Sequence, residues 1–398
     1  MSINKESYQP HKLKNSKFLK NYNNSRKTKH RSVFCHAPFT SMNFQQNGDV
    51  IVCCFNKHYV IGHFPTQTLK EIWFGEKAMA LRNMFNENIL DAEGCDFCIK
   101  QLEGGDFERL HATRYDDFAY DDKYPHPLVE YPRVMEFEIS NQCNLECTMC
   151  TGYYSSSIRK NREKLPPSKF YYETGFVDQL LEFIPHLEKA TFLGGEPFMI
   201  KEYIDIWDNM RGINPSLKIS ITTNGTILNS RVKKILEDLQ VWIIVSIDSI
   251  VEETYRKIRI NADYQKVMNH VEYFIDYSKR KNTGLTFAVC PITDNWHEMA
   301  ALTAYCNSRK IKLFFNTVIK PIHKSLKYQS PEKLEAIVNQ LNRNYWTKGL
   351  FMSFASKNTK QYKSLIHQVE QWSNNHHVDK EKSFQAILNE EKDKINAY

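Results

Sequence analysis

Residues 140–152 read Ser-Asn-Gln-Cys-Asn-Leu-Glu-Cys-Thr-Met-Cys-Thr-Gly, which places Cys143, Cys147 and Cys150 within eight residues and no fourth cysteine close behind. Thiolates at such spacing bind zinc or iron–sulfur clusters. A closed tetrahedral zinc site wants four protein ligands, so His36 or a distant cysteine would have to complete it. A four-iron cluster on three cysteines instead leaves one iron open to a ligand from outside the chain. Upstream, Cys35, Cys53, Cys95 and Cys98 make a full set of four, with Cys54 beside them; taken alone they suit a zinc knuckle as well as a cluster. Cys290 and Cys306 stand in an apolar strand and a helical stretch and read as core residues. Clustered cysteines without an export signal point to metal binding rather than disulfides.

The bulk composition narrows the field. The chain has 398 residues, enough for one large domain or two moderate ones, and its net charge is +7. Residues 1–32 hold nine Lys/Arg against Glu6, a local charge of +8, so the rest of the chain carries −1. The basic character therefore belongs to an arm, read as solvated and flexible, with an acidic or phosphate-rich partner as the other reading. No apolar run approaches the roughly 20 residues needed to span a bilayer. The N-terminus is Lys/Asn-rich with no apolar core of a signal peptide, so a cytoplasmic location is expected.

Positioning these side chains requires a framework. From residue 134 onward, β-branched and aromatic runs alternate with amphipathic stretches. Strands are expected at 134–140, 190–194, 218–223, 241–248, 286–290 and 312–319. Helices are expected at 173–184, 204–210, 230–239, 264–279 and 296–308. This is a six-fold β/α alternation, so the class is α/β with a parallel sheet. The chemistry-bearing residues fall at strand C-terminal ends, where barrel-like folds place their sites. Before this core, residues 33–130 carry a β-hairpin with Asn47-Gly48-Asp49 as its turn, a helix around 69–85, and too little apolar mass for an independent core. After it, residues 324–398 are helical by propensity and carry no motif.

The loop "CNLECTMC" resembles the signature of the radical S-adenosylmethionine (SAM) family, Cys-x3-Cys-x2-Cys after a strand, matching at every cysteine and at the hydrophobic Met149. The resemblance implies a 4Fe–4S cluster on Cys143, Cys147 and Cys150 whose open iron is chelated by the amino and carboxylate groups of SAM. One electron then splits the sulfonium bond, and the 5′-deoxyadenosyl radical abstracts a substrate hydrogen. Gly194-Gly195-Glu196-Pro197 resembles the family's "GGEP", whose backbone and Glu receive the SAM ammonium. Thr223 and Asn224 in "TTNGT", and Ser246 and Asp248 in "VSIDS", resemble strand ends that contact its ribose and methionine portions. Arg259 falls where many members carry a basic residue near the SAM carboxylate. The family fold would be a partial (β/α)6 TIM-like barrel over residues 131–323.

Cys35-x12-Gly48-x4-Cys53, followed by Cys95-x2-Cys98, resembles the twitch module, the shorter relative of the SPASM module. Residues 60–82 also resemble the stretch between its ligands. The resemblance implies a second, auxiliary 4Fe–4S cluster with Cys35, Cys53, Cys95 and Cys98 as ligands. Such modules usually follow the core; this one precedes it.

The function expected is hydrogen abstraction from a small polar substrate, such as a sugar, amino sugar or nucleotide, with net oxidation and an external electron donor such as flavodoxin or ferredoxin. A maturase acting on a peptide or protein is the second reading. A zinc-stabilised nucleic-acid-binding protein is the reading from another class; against it, the body is nearly neutral and no nucleic-acid module is visible. No membrane partner is expected. The substrate-side acid or base is not identified; Tyr153, Tyr154 and Glu138 lie near the expected strand-end face.

Overall fold

A computed structural model describes residues 10–14, 16–26, 31–107, 110–119, 130–173, 175–343 and 354–375. The chain divides into two compact units, one of Met1–Ser140, Lys169–Ser220 and Asp238–Gln240, the other of Asn141–Ser168, Ile221–Glu237 and Val241–Tyr398.

In the first unit, β1 (Pro10–Lys12) pairs antiparallel with β5 (Ile89–Asp91). A larger sheet runs in the order β4 (Gly62–His63), β3 (Asp49–Ile51), β2 (Ser41–Gln45), β6 (Val134–Glu138) and β7 (Lys189–Phe192). The expected hairpin is present as β2 and β3. Gly48 N–H donates to Gln45 O at 2.9 Å, and φ of +86° at Gly48 is the left-handed turn that glycine adopts without a steric penalty. β2 also pairs in parallel with β6, from Ser41 opposite Val134 to Gln45 opposite Glu138. The expected boundary near residue 131 is therefore not a break in the sheet.

Aromatic side chains fill this unit's core. Phe137 stacks on Phe44 and Phe192 with ring centroids 5.1 and 4.8 Å apart, and Tyr203 and Trp207 of the helix Lys201–Ile213 pack edge-on against Phe192. Such pairs add about 0.5–1.5 kcal/mol each beyond area burial. Tyr203 donates its hydroxyl hydrogen toward Phe137 O and Leu193 O, each at 2.8 Å. The helix expected over 173–184 is shorter. Gly175, at φ +80°, starts a helix Phe176–Leu180, and Pro185 sits in a 3-10 turn Ile184–His186, where its ring cannot extend an α-helix.

The basic arm is partly built into this unit. Residues 1–9 and 27–30 lie outside the described residues, but Lys17–Ser25 is a helix capped by Ser16, with Leu19 and Tyr22 buried. Arg26, buried, pairs with Asp116 and donates to Val33 O at 2.8 Å. The segments Pro10–Lys14 and Ser16–Arg26 are thus folded rather than a free tail, because apolar Leu19 and Tyr22 outweigh the local charge.

β8 (Lys218–Thr223) runs from the first unit into the second. In the second unit, β9 (Val241–Ser246), β10 (Leu285–Val289) and β11 (Lys312–Phe315) pair in parallel, with Leu285 opposite Ile243 and Thr286 opposite Lys312. Helices Tyr264–Arg280 and Met299–Arg309 make the connections. The former starts at the Asp263 cap, whose carboxylate accepts from Lys266 N–H at 3.0 Å. Beyond β11 lie helices Pro331–Arg343 and Phe354–Asn375. Asn358 of the latter accepts from Leu313 N–H and donates to Ile311 O, both at 2.8 Å. The expected α/β class with parallel strands is what forms, and among the described residues no strand pairing closes a barrel.

β6 carries two acids, Glu136 and Glu138, in an otherwise apolar strand. Burial, with the neighbouring Glu138 charge, pushes the Glu136 carboxyl up to about 7. The unfolded chain then releases this proton near pH 4.5 while the folded chain keeps it to about pH 7, so stability falls as pH rises through that window. A shift of this size corresponds to at most about 3 kcal/mol. Glu136→Gln is expected to remove that fall. Thermal midpoints at pH 5 and pH 8 check it, and an equal drop in variant and wild type would refute it.

Candidate metal centres

The three-cysteine loop is fastened on every side within the second unit. Glu146 N–H and Thr148 N–H donate to Ile260 O and Ile258 O at 3.1 and 2.9 Å, so the loop backbone is laced to the segment that carries Arg259. Ser156 and Ser157 hydroxyls both reach Cys143 O, at 3.2 and 2.8 Å, and Ser155 Oγ donates to Leu145 O at 2.7 Å. Arg162 donates to the carbonyls of Cys147 and Cys150. A loop so constrained presents its three thiols from a fixed backbone.

N–H groups converge on those thiols. Leu145 N–H lies 3.5 Å and Asn224 Nδ2 3.8 Å from Cys143 Sγ, while Arg259 Nη1 lies 3.9 Å from Cys147 Sγ. Burial pushes the Cys147 thiol up to about 12 against the pull of Arg259, and the Cys150 thiol up to about 11, with Cys143 raising it further. Without a metal these thiols keep their protons; a metal must displace them. Arg259 Nε and Thr148 Oγ1 are buried polar atoms with no hydrogen-bond partner. Three thiols, converging N–H donors and a buried cation with an unsatisfied nitrogen fit an anionic, thiolate-held cluster.

The strand ends supply the rest of this cluster of residues. Asp248, fully buried, pairs with Arg259 (Nη2 to Oδ2, 2.7 Å) and accepts from Cys290 N–H at 2.8 Å. Burial alone would lower Arg259 and raise Asp248; facing Asp248 and the Cys147 thiol lifts Arg259 above its ordinary value. The two side chains expected to touch SAM are thus turned on each other, with Arg259 also facing a cluster thiol. Asn224 likewise donates to Asn144 Oδ1 at 3.0 Å as well as facing Cys143. Thr223 Oγ1 accepts from Gly225 N–H at 3.0 Å, and Ser246 ends β9. Met149 packs on Ile258, Ile292 and Val318, together with Cys290, which gives the loop an apolar wall. Cys290 therefore stands beside the loop rather than deep in the core.

In the first unit, Gly194 and Gly195 follow β7 and approach the chain at Ser140, three residues before Cys143. Gly195 N–H donates to Ser140 O at 3.0 Å. Gly194 has φ +116°, and a Cβ there would stand 2.6 Å from the same oxygen, so only glycine fits. Glu196 is fully buried and caps the turn Pro197–Met199, its carboxylate accepting from Phe198 N–H at 3.2 Å.

Also in the first unit, Cys35, Cys53, Cys95 and Cys98 line one pocket, walled by Phe34, Val52, Phe55 and Phe85. Ala37 N–H lies 3.5 Å from Cys35 Sγ and Asn56 Nδ2 3.7 Å from Cys95 Sγ. Burial raises Cys35, Cys95 and Cys98, the last to about 11 against backbone N–H donors of residues 111 and 112. A Cβ at Gly94 would sit 2.0 Å from Asn56 Oδ1, so glycine lets the Cys95 turn close over the pocket. Four thiols around one apolar hollow, with N–H donors directed at sulfur, fit a cluster with no open iron.

Comparison with known proteins agrees with this geometry. Residues 137–306 match the radical SAM superfamily model, and residues 35–99 match an iron–sulfur cluster-binding domain, SPASM. The chain thus carries a radical SAM domain and, ahead of it, an iron–sulfur cluster-binding domain. Two 4Fe–4S clusters and SAM are the cofactors of that pairing. Among curated relatives, the probable GTP 3′,8-cyclase of Methanocaldococcus jannaschii is 24% identical over 237 residues, 56% of this chain and 75% of the relative. The GTP 3′,8-cyclase of Clostridium botulinum is 26% identical over 144 residues, 36% of this chain and 43% of the relative. The chain therefore spans less than half of the second. The solved structure of Streptococcus suis SuiB bound to the precursor peptide SuiA aligns with TM-score 0.41 and 14% identity over 68% of this chain and 64% of that one. No helix among the described residues is long and apolar enough to cross a membrane.

Sequence reasoning missed the residues that hold the loop: the Ser155–Ser157 run, Arg162, and Asn144, which receives Asn224. The serine run beside the cysteines was the available signal. It also missed His111, in the wall of the four-cysteine pocket. Arg259→Gln would leave Asp248 as a buried carboxylate without its counter-ion, a change that costs about 3–5 kcal/mol in buried pairs. Adding Asp248→Asn should recover part of the loss. Thermal denaturation of the single and double variants checks this, and equal midpoints would refute the coupling.

Proposed function

We propose that this chain is a SAM-dependent radical enzyme that abstracts hydrogen from a small polar substrate, a nucleotide first among the candidates. The observation that carries the reading is the fixed three-thiol loop with Arg259 and Asn224 facing its sulfurs. Cys143, Cys147 and Cys150 hold the SAM-binding cluster, and Cys35, Cys53, Cys95 and Cys98 hold the second. Together, cluster and SAM supply one-electron cleavage of a sulfonium bond and a 5′-deoxyadenosyl radical. The chain's own residues position and shield. The stretch Gly194-Gly195-Glu196, by its resemblance to the family's GGEP, is the candidate site for the SAM ammonium. Met149 walls the site with apolar surface that keeps water from a reactive intermediate. Thr223, Ser246, Asp248 and Arg259 line the strand ends, with Arg259 balancing negative charge at Cys147.

The nucleotide preference is supported by the names of the curated relatives, which are GTP cyclases. Net oxidation is supported only by the auxiliary four-cysteine set, which leaves no iron open to substrate and so suits electron transfer; the relatives' names do not include it. The reductant is of the flavodoxin or ferredoxin class, and the setting cytoplasmic.

The test is 5′-deoxyadenosine formation by anaerobically reconstituted, dithionite-reduced protein given SAM, with and without ribonucleoside triphosphates. Stimulation by a nucleotide, abolished in the Cys143/Cys147/Cys150→Ala variant, is expected. Stimulation by sugars or peptides alone would retire the nucleotide reading and keep the radical core. A protein that holds zinc and no sulfide, or product undiminished in the variant, would retire the enzyme.

A further inference from the structure

The four-cysteine pocket has more soft donors around it than a cluster uses. Cys54 follows Cys53 directly, and its Sγ lies 3.5 Å from His111 Nε2. One donor atom each from Cys53, Cys54 and His111 all fall within 4.8 Å of one another. His111 is buried, and its ring is fixed edge-on between Phe55 (4.6 Å, 65°) and Tyr115 (5.7 Å, 71°). Phe55 in turn stacks on Phe97 at 4.4 Å. The imidazole is therefore held in place with Nε2 toward the two thiols, hydrogen-bonding Cys53, and the four-cysteine set does not use it as a ligand.

We propose that Cys53, Cys54 and His111 form a second metal site, for a zinc-class divalent ion, that competes with the four-cysteine set for Cys53. Two thiolates and one imidazole are a donor set that zinc accepts, with a fourth, open position. Tetrahedral zinc would place such donors about 3.5 Å apart. The Cys54–His111 pair already stands at that separation, and the three donors all lie within 4.8 Å of one another, close to it. One thiol of the three belongs to both arrangements, while Cys35, Cys95 and Cys98 belong to the cluster alone. A chain that takes up zinc here is barred from completing the auxiliary cluster, so the site makes the module selective for the order in which metals reach it. The proposal rests on the reading of the four cysteines as a cluster site only for the competition; the three-donor site stands on its own geometry.

The test uses the full chain, freed of metal and carrying Cys143/Cys147/Cys150→Ala so that only the N-terminal cysteines report. Titration with cobalt(II) is expected to give thiolate charge-transfer and d–d absorption at one ion per chain. Cys54→Ser and His111→Gln should each weaken binding at least ten-fold, and Cys35→Ala should leave it unchanged. Iron and sulfide taken up on reconstitution should be the same in Cys54→Ser as in its parent, and should fall when zinc is supplied first. Binding lost in Cys35→Ala and kept in Cys54→Ser and His111→Gln would overturn the site, as would no binding at all. Loss of iron in Cys54→Ser would make Cys54 a cluster ligand and overturn the assignment too. X-ray absorption of the zinc-loaded parent decides without further variants: imidazole scattering with two sulfurs supports the site, and a sulfur-only shell refutes it.

Discussion

Burying several thiolates in one place is electrostatically unfavourable unless positive charge sits among them, and both cysteine groups of this chain are partly or wholly buried. Burial raises Cys35, Cys95, Cys98, Cys147 and Cys150, and neighbouring thiols raise most of them further. Cys53 is the exception, lowered by hydrogen bonds from Cys54 and His111; the raised thiols lose their protons only to a metal, so folding and metal uptake are coupled. The walls show the same dependence. The four-cysteine pocket is walled by short pieces, a four-residue helix, the segment after β3, the start of an eight-residue helix and of a 3-10 helix, with Phe85 from the helix Glu76–Asn86.

At the three-cysteine loop a protein cation shares the task. Arg259 faces Cys147 and is itself held by Asp248, whose other oxygen ties down Cys290 N–H and so the end of β10. Asn295 extends the tie by donating to Asp248 O and Cys290 O, at 2.8 and 3.1 Å. One buried ion pair thus joins the loop, the end of β9 and the end of β10. An arginine suits this place because it keeps its charge when buried and offers donors on two sides at once.

Much of this was legible in the sequence for a stated reason. The parallel strands are short β-branched or aromatic runs and have no other stable home, so five of the six end within three residues of expectation; β11 stops at Phe315, before the expected Ile319. The cysteine spacings are local and therefore readable. What stayed hidden is long-range. Arg259 reads as a contact for the SAM carboxylate until Asp248, eleven residues away, is seen facing it. Pro10–Arg26 reads as a charged tail because nine basic residues in 32 mask the apolar pair Leu19 and Tyr22. His111 carries no spacing relation to Cys53 and Cys54, so only the folded chain brings them together.

The unusual order of the two cluster modules has an explanation in the pairing of β2 with β6. Parallel neighbours cannot be joined by a tight turn; they need a crossover of a dozen or more residues. Here the connection runs from Gln46 to Arg133 and contains β3, Cys53, the helices of residues 69–103, Cys95 and Cys98. Much of the cluster-binding segment lies within the crossover between β2 and β6. Register then decides where its pocket lies. Cys35 precedes β2, and β3 runs back along β2 with Ile51 opposite Asn43, so Cys53 returns to the end where β2 begins. Arg133 N–H bonding Thr40 O at 2.9 Å shows that β6 begins at this end as well. The four-cysteine pocket therefore belongs to the N-terminal edge of these strands. Placing the module before the core, and pairing its first strand in parallel, is what sends its cysteines to that edge.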